Sequence, residues 1–112
     1  MYASVDVGGT NIAAAIASEA SRILVERSIP TQSHDGPQAV LKRIAALVRQ
    51  LSTEAQSPVK ALGMGLPGLI DVERGITRFM PNLPTQWRGV PAGRILHKEL
   101  GCEVRLLNDA RM

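Results

Sequence analysis

A short segment near the start of the chain, Val5-Asp-Val-Gly-Gly-Thr-Asn11, carries the residue types of a phosphate-binding turn. It links two apolar runs that are too close together for a helical crossover, so we expect a β-hairpin turning at Gly8 and Gly9. Glycines allow positive φ and let backbone N–H groups approach an anion closely. Asp6, beside the turn, is placed to hold a metal ion next to phosphates, directly or through water. Gly-Gly between strands is also typical of an ordinary hairpin, which Asp6 would then cap.

A second set of candidate residues, Asn108 and Asp109, follows the last predicted strand. An Asp at the end of a strand can accept a proton from a substrate hydroxyl, and the adjacent Asn can orient that hydroxyl by hydrogen bonds. Phosphoryl transfer to a hydroxyl needs mainly such positioning and a nearby carboxylate. Asn and Asp are also favoured helix caps, and a helix is expected to begin here, so both roles are compatible.

The segment Gly63-Met-Gly-Leu-Pro-Gly68 closes the fourth predicted strand with a sharp Pro-Gly turn. Ligands of open α/β sheets bind outside the carboxyl ends of the strands. A turn of residues without side chains lets a polyhydroxylated ligand form hydrogen bonds with the backbone. Taken alone, the segment is more typical of a plain turn that leads into the next strand.

The elements that must position these residues follow from the hydrophobic pattern. We predict strands over residues 2–7, 12–17, 22–29, 59–66, 69–72, 76–79 and 104–107, and helices over residues 37–52 and 91–100. Pro37 suits the first helical position, with Asp35 or Gly36 as its cap, and Gly101 ends the second helix. The first three strands should pair antiparallel, whereas later strands reached through a helix should lie parallel to the first. The pattern predicts an α/β fold, a mixed sheet with flanking helices.

Composition and charge disfavour several classes of protein. The 112 residues are 45% hydrophobic, enough for one domain with a core, and the apolar runs are too short to span a membrane. The formal net charge is +3, but the positive residues are scattered and Trp87 is the one tryptophan, which argues against nucleic-acid binding. The single cysteine, Cys102, rules out an intrachain disulfide and, with no signal-peptide pattern, indicates the cytoplasm. We expect Cys102 to be a small buried hydrophobe.

Four motifs in order resemble those of the ROK family, the bacterial sugar kinases and related repressors of the actin-like ATPase (ribonuclease H-like) superfamily. Asp6–Asn11 is similar to the family's first phosphate motif, and Gly63–Asp71 matches its Gly-x-Gly-x-Pro-Gly-x-x-Asp segment. Pro81-Asn82-Leu83, followed by Trp87 and Pro91, and then Leu107-Asn108-Asp109-Ala110 complete the series. The resemblance covers essentially the whole chain.

The resemblance implies ATP-dependent phosphorylation of a hexose hydroxyl, most often the 6-OH of glucose. By the same resemblance, Asp109 would be the general base, Asn108 would bind the sugar hydroxyls, and Gly68 would lie against the sugar. Asn82 and Trp87 would shape the sugar pocket or only fold the loop over it. His34 and His97 match no functional position, and we expect them at the surface.

The resemblance also assigns the nucleotide side of the site. Asp6 would help to hold Mg²⁺, and the residues of the turn would face the phosphates of ATP. These turn residues are Gly8, Gly9, Thr10 and Asn11. Many relatives carry Lys at the last of these positions, but an amide also contacts phosphate, so the departure implies no loss of function.

Family members have a second lobe with further sugar-binding residues, the adenosine-binding region and usually a zinc site. We therefore expect residues 1–112 to be the N-terminal lobe of a two-lobed kinase, inactive alone and a homo-oligomer at full length. Other hexoses (fructose, mannose, allose or N-acetylmannosamine) and polyphosphate as donor remain open alternatives. A sugar-sensing repressor is less favoured, because only five residues precede Asp6. A non-catalytic actin-like assembly protein is disfavoured by the Pro-Gly and Asn-Asp residues.

Overall fold

The computed structural model describes residues 1–18, 22–66, 69–71, 76–79 and 90–108. The strands are β1 (Tyr2–Val7), β2 (Asn11–Ala17), β3 (Ile23–Pro30), β4 (Ala61–Leu66), β5 (Leu69–Asp71), β6 (Ile76–Phe79) and β7 (Glu103–Asn108). The helices are α1 (Pro37–Ala55) and α2 (Ala92–Leu100), and a 3-10 turn covers Ser33–Asp35. Every strand and helix predicted from the sequence is confirmed, with ends that differ by at most three residues.

Five strands form a sheet in the order β3-β2-β1-β4-β7, which is mixed as predicted. β1, β2 and β3 are antiparallel neighbours, whereas β4 pairs parallel with β1 and β7 pairs parallel with β4. β5 and β6 form a separate antiparallel pair. Because β1, β4 and β7 run in one direction, their carboxyl ends share one edge of the sheet, here called the carboxyl edge.

Glycines with positive φ stand at a boundary of each helix. Gly36, with φ of 94°, precedes the first helical residue Pro37, and its carbonyl accepts the N–H of Val40 at 3.1 Å. This confirms the predicted cap at Gly36. Gly101, with φ of 70°, ends α2 and donates its N–H to the carbonyl of His97 at 2.8 Å. Within the described ranges, neither helix combines the length and apolar content that crossing a bilayer needs.

Tertiary contacts extend α1 beyond its predicted end at Ser52. Glu54, in the additional turn, pairs with Arg27 of β3 at 2.8 Å, and Ala55 packs against the core. Gln56 then takes the left-handed conformation that ends the helix, with φ of 56°. The helix propensities of Ser and Thr favour an earlier end, so packing overrides local preference here.

β4 begins at Ala61 rather than at the predicted Val59, because its partner strand determines where the ladder can start. β1 begins at Tyr2, which pairs with Ala61. The preceding Lys60 donates its N–H to the carbonyl of Met1 at 2.8 Å, before either strand has begun. The predicted turn at residues 73–75 and most of the predicted loop at residues 81–90 lie outside the described residues.

Both helices cover one face of the sheet, the inner face, while the other, the outer face, carries no described helix. Along β1, Ala3, Val5 and Val7 are buried toward the helices, whereas Ser4 and Asp6 are exposed on the outer face. This alternation is the pattern of a strand with one buried face. The largest fully buried side chains are Ile12, Ile16, Leu41, Ile44, Leu51, Leu62, Met64, Leu66, Leu96, Leu106 and Val5.

Candidate functional site

The turn between β1 and β2 is tight and closed by a backbone hydrogen bond. Gly8 donates its N–H to the carbonyl of Asn11 at 2.8 Å, so Gly9 and Thr10 form the connection. The predicted hairpin is confirmed by the antiparallel pairing of its strands. The chain bends one residue later than predicted, at Gly9 and Thr10 instead of Gly8 and Gly9.

Close backbone packing, rather than positive φ, favours glycine at the start of this turn. A Cβ on Gly8 would lie 3.1 Å from the carbonyl oxygen of Asn11. In the described ranges, the glycines with positive φ are Gly36 and Gly101, so neither glycine of the hairpin uses that freedom.

The backbone of the turn presents N–H groups in a pattern that suits an anion. The carbonyls of Gly8 and Thr10 each accept a hydrogen bond of 2.8 Å from Thr31, the first from its hydroxyl and the second from its N–H. Among the residues that the structure describes, the N–H groups of Gly9 and Thr10 find no acceptor. Successive free N–H groups in a bend form a concavity that binds anions such as phosphate.

Asp6 lies next to this turn, one residue before the end of β1. Its side chain is exposed on the outer face, and it forms no ion pair with any described side chain. No cluster of three or more potential metal ligands occurs in the described part of the chain. Mg²⁺ usually keeps several waters and binds one or two carboxylates plus substrate phosphates, so Asp6 beside a turn that suits phosphate fits this ion.

Asn108 reaches the same carboxyl edge from the other side of the sheet. Asp6 pairs with Gly65 of β4, and Gly65 pairs with Leu107 of β7, so these residues form one row across three strands. Asn108, the last residue of β7, pairs with Leu66. Two strand spacings separate β1 from β7, which puts the two ends of the row roughly 10 Å apart.

Several predicted site residues lie outside the described residues. Gly68 follows β4, Asp109 follows β7, and Asn82 and Trp87 belong to the segment between β6 and α2. Their predicted roles stay predictions.

Cys102 and His97 lie together near the start of β7, at the opposite end of the sheet, whereas His34 lies in the 3-10 turn that follows β3 on the side of the carboxyl edge. Cys102 is 6% exposed at the start of β7, and burial raises the pKa of its thiol above the ordinary 9.0, which confirms the expected buried hydrophobe. His97 and His34 are exposed, as predicted, although Nδ1 of His97 lies 2.7 Å from the carbonyl oxygen of Cys102.

Sequence reasoning missed Thr31 and the charged pair that holds it. The carbonyl of Thr31 accepts a hydrogen bond of 2.6 Å from Arg43 of α1, which also binds Asp35 at 2.8 Å. Thr31 belongs to no motif. The strand register carries the available signal: β3 pairs with β2 so that Pro30 faces Asn11, which puts the next residue beside the turn.

Comparisons with known proteins bear on the family and the fold of the chain. The model of the ROK family matches residues 2–112. The chain is 40% identical over 106 residues to a glucokinase of Thermotoga maritima, covering 95% of this chain and 32% of that protein. The ROK hexokinase of Thermus thermophilus has a similar structure, with a TM-score of 0.87 and 35% identity over 97% of this chain and 35% of the other.

A ROK glucokinase of Streptomyces griseus, solved in complex with glucose and AMPPNP, is also similar, with a TM-score of 0.85 and 32% identity. The match covers 97% of this chain and 33% of that one. The chain thus spans about a third of the length of each of these relatives. These neighbours confirm the mixed sheet of the actin-like ATPase fold.

Proposed function

Since this chain belongs to the ROK family, we propose that it is the N-terminal lobe of a sugar kinase that transfers the γ-phosphoryl group of ATP to a hexose hydroxyl. Glucose, at its 6-OH, is the favoured acceptor. The similarity to a glucokinase, and to a second one that binds glucose and AMPPNP, supports this choice of substrates.

The observation that carries the proposal is the shared carboxyl edge. An exposed carboxylate and a turn with two N–H groups that bond to no described residue end β1, and Asn108 ends β7 on the same edge. The separation of roughly 10 Å leaves room for a triphosphate tail and a sugar hydroxyl between the two strands. Opposite edges would have excluded a reaction between groups bound at the two positions.

In the proposed reaction, the turn holds the phosphates through the N–H groups of Gly9 and Thr10, and Asn108 orients the sugar. The hydroxyl oxygen attacks the γ-phosphorus, a new O–P bond forms, and the bond to the β–γ bridging oxygen breaks, so that ADP leaves. Asp109 accepts the proton of the hydroxyl. Positioning and electrostatic stabilisation account for most of the catalysis in reactions of this type.

Asp6 is the described residue that would hold Mg²⁺ in this scheme. When bound, the ion neutralises charge on the phosphate oxygens. A carboxylate at the end of β1 and the N–H groups of the turn offer charges of opposite sign to the metal and to the phosphates. The two parts of the site are therefore complementary.

A substrate panel with the full-length protein tests the proposal. We expect ADP formation that depends on glucose, with lower kcat/KM for mannose, fructose and N-acetylmannosamine. In the Asp109→Asn variant, kcat should fall by about 100- to 10,000-fold, the usual contribution of a general base. Binding of glucose in the absence of ATP should change little, because the amide keeps the size of the carboxylate.

Glu103→Gln is the matched control for this variant. Glu103 lies at the opposite end of β7, its side chain is 70% exposed, and the change also converts a carboxylate into an amide. It should leave kcat unchanged. Equal turnover in Asp109→Asn and the wild type would refute the assignment of the base.

Two further outcomes would redirect the proposal. Sugar binding without ADP formation by the wild-type protein would favour a sugar-sensing role over catalysis. Turnover with polyphosphate but not with ATP would change the donor. The 112-residue chain alone should show no sugar-dependent ATP turnover, and measurable turnover would contradict its role as one lobe of a two-lobed enzyme.

A further inference from the structure

Thr31 is a buried polar residue, and its hydroxyl contributes nothing to hydrophobic packing. It follows β3 directly, and its exposed surface is 0%. Of the polar and charged residues in the described ranges, Thr31 alone is buried. A buried hydroxyl without a partner is costly, so its hydrogen bonds indicate why the residue is there.

Two hydrogen bonds tie Thr31 to the turn between β1 and β2. Its hydroxyl donates to the carbonyl of Gly8, and its N–H donates to the carbonyl of Thr10, each at 2.8 Å. These two carbonyls belong to the Gly8–Gly9 and Thr10–Asn11 peptide units. Thr31 therefore fixes the two units on either side of the Gly9–Thr10 unit, with their carbonyls directed toward Thr31.

A charged pair on the other side holds Thr31 in turn. Nη1 of Arg43 donates to the carbonyl of Thr31 at 2.6 Å, while its Nη2 donates to Oδ2 of Asp35 at 2.8 Å. Arg43 belongs to α1, and its side chain is 26% exposed. Hydrogen bonds from a guanidinium group are stronger and more directional than neutral ones. The network thus connects the first long helix to the turn.

We propose that Thr31, held by Arg43 and Asp35, is a positioning residue that preorganises the phosphate-binding turn. It acts through Gly8 and Thr10 and touches no substrate. Engaging the carbonyls on one side of the turn leaves the N–H groups of Gly9 and Thr10 for the nucleotide phosphates. This inference rests on the proposed kinase function, and it adds a residue on which nucleotide binding depends.

The physical basis is preorganisation. A turn already held in its binding geometry does not have to be ordered when the ligand arrives, and fixed dipoles stabilise transferred charge without reorganisation. Misplacement of binding groups by about 1 Å can lower a rate about 100-fold, and loss of an outer-shell partner typically costs about 10- to 100-fold. The effect should fall on the nucleotide and spare the sugar, since the hydroxyl and N–H of Thr31 bond to the turn and not to Asn108.

The test uses Thr31→Val in the full-length protein, which removes the hydroxyl while keeping the shape and the backbone N–H. We expect kcat/KM for ATP and the affinity for AMPPNP measured by calorimetry to fall about 10- to 100-fold. The dissociation constant for glucose measured without nucleotide should stay within about twofold of the wild-type value. Thr31→Ser, which keeps the hydroxyl, should restore most of the nucleotide affinity.

Thr53→Val is the matched control, since the hydroxyl of Thr53 donates to the carbonyl of Arg49 within α1 at 3.0 Å. The same chemical change there should leave nucleotide affinity unchanged. If Thr31→Val does not fold, Arg43→Gln takes its place in the test. This change weakens the network from the side of α1 and should also reduce AMPPNP affinity.

A Thr31→Val variant that binds AMPPNP as tightly as the wild type, or that loses nucleotide and glucose affinity equally, would overturn the inference. Wild-type turnover decides the proposed function separately. A wild-type protein that binds AMPPNP but shows no turnover refutes only the kinase assignment, because the comparison of nucleotide affinities still stands. A wild type that binds no nucleotide refutes both.

Discussion

The two faces of the sheet differ in what their side chains do. The inner face buries branched aliphatic side chains such as Ile12, Ile16 and Leu62 against the two helices. The outer face carries mostly small or polar residues, and an open depression there is lined by Ser4, Asp6, neighbouring alanines and the exposed Ile23. Because successive residues of a strand alternate between faces, one short strand serves both.

β1 shows the consequence most directly. Val5 is 1% exposed in the core, whereas the next residue, Asp6, is exposed beside the turn. We infer that substitutions on the inner face change the free energy of unfolding, while substitutions on the outer face at the carboxyl edge change activity. A variant that changed both quantities strongly would break this separation.

The largest expected effect on stability comes from Ile44→Ala. Ile44 lies in α1, is fully buried and contacts the inner face, so its truncation removes buried apolar surface and leaves a cavity. The free energy of unfolding of the full-length protein should fall by about 2–5 kcal/mol in denaturant titrations. Gln50→Ala, an exposed change on the same helix, should shift it by less than about 0.5 kcal/mol. Equal effects of the two changes would show that the helix does not pack as described.

Asp6→Asn should lower activity strongly while changing stability little. The amide keeps the shape but loses the charge that would hold Mg²⁺, so kcat/KM for ATP should fall by about 100-fold or more. The midpoint of thermal unfolding should change little, because Asp6 is exposed and forms no ion pair with a described side chain. The neighbouring Val5→Ala should do the reverse, lowering the free energy of unfolding by about 2 kcal/mol while sparing KM for ATP. Loss of activity in Val5→Ala at a temperature where it stays folded would contradict the separation.

Gly8→Ala and Gly63→Ala form a matched pair that tests the turn. A Cβ at Gly8 would meet the carbonyl oxygen of Asn11 at 3.1 Å, whereas a Cβ at Gly63, on the outer face of β4, meets nothing within 4 Å. We expect Gly8→Ala to distort the turn and to weaken AMPPNP binding by about tenfold, comparable to the loss of one outer-shell contact. Gly63→Ala should be neutral or stabilising by about 0.5 kcal/mol, since alanine restricts the unfolded chain. Tight nucleotide binding by Gly8→Ala would show that the turn tolerates a side chain.

The sequence predicted the elements and the relative directions of the strands, because both follow from the hydrophobic pattern and the order of the elements. Alternating apolar residues define β1, helical periodicity defines α1, and strands that follow helices must run parallel to the first. The ends were less accurate where distant contacts decide them. Arg27 of β3 pairs with Glu54 in the turn that extends α1, and the start of β1 sets the start of β4 at Ala61.

In the candidate site, too, residues in sequence motifs were predicted, whereas a residue that depends on distant contacts was missed. Motif residues such as Asp6 and Gly9 carry their chemistry in the sequence, and their place on the carboxyl edge followed from the predicted parallel strands. Thr31 belongs to no sequence motif, because its role depends on the register between β3 and β2 and on the distant Arg43. Contacts between residues far apart in sequence are the part that pattern reasoning does not reach.

The smallest expected effect concerns Cys102, a buried residue that should affect stability and not activity. Burial raises the pKa of its thiol in the folded protein above the unfolded value of 9.0. Below that pH the thiol is protonated in both states, and its contribution to stability is fully present. As the pH rises above 9.0, the unfolded chain loses the thiol proton before the folded protein does. The free energy of unfolding therefore falls, by at most about 1.4 kcal/mol per pH unit, until the pH passes the folded pKa. Urea unfolding between pH 8 and 10.5 should show a shallower loss for Cys102→Ala than for the wild type. Identical slopes would mean that the thiol is solvated in the folded protein, and that the inner face is open at the start of β7.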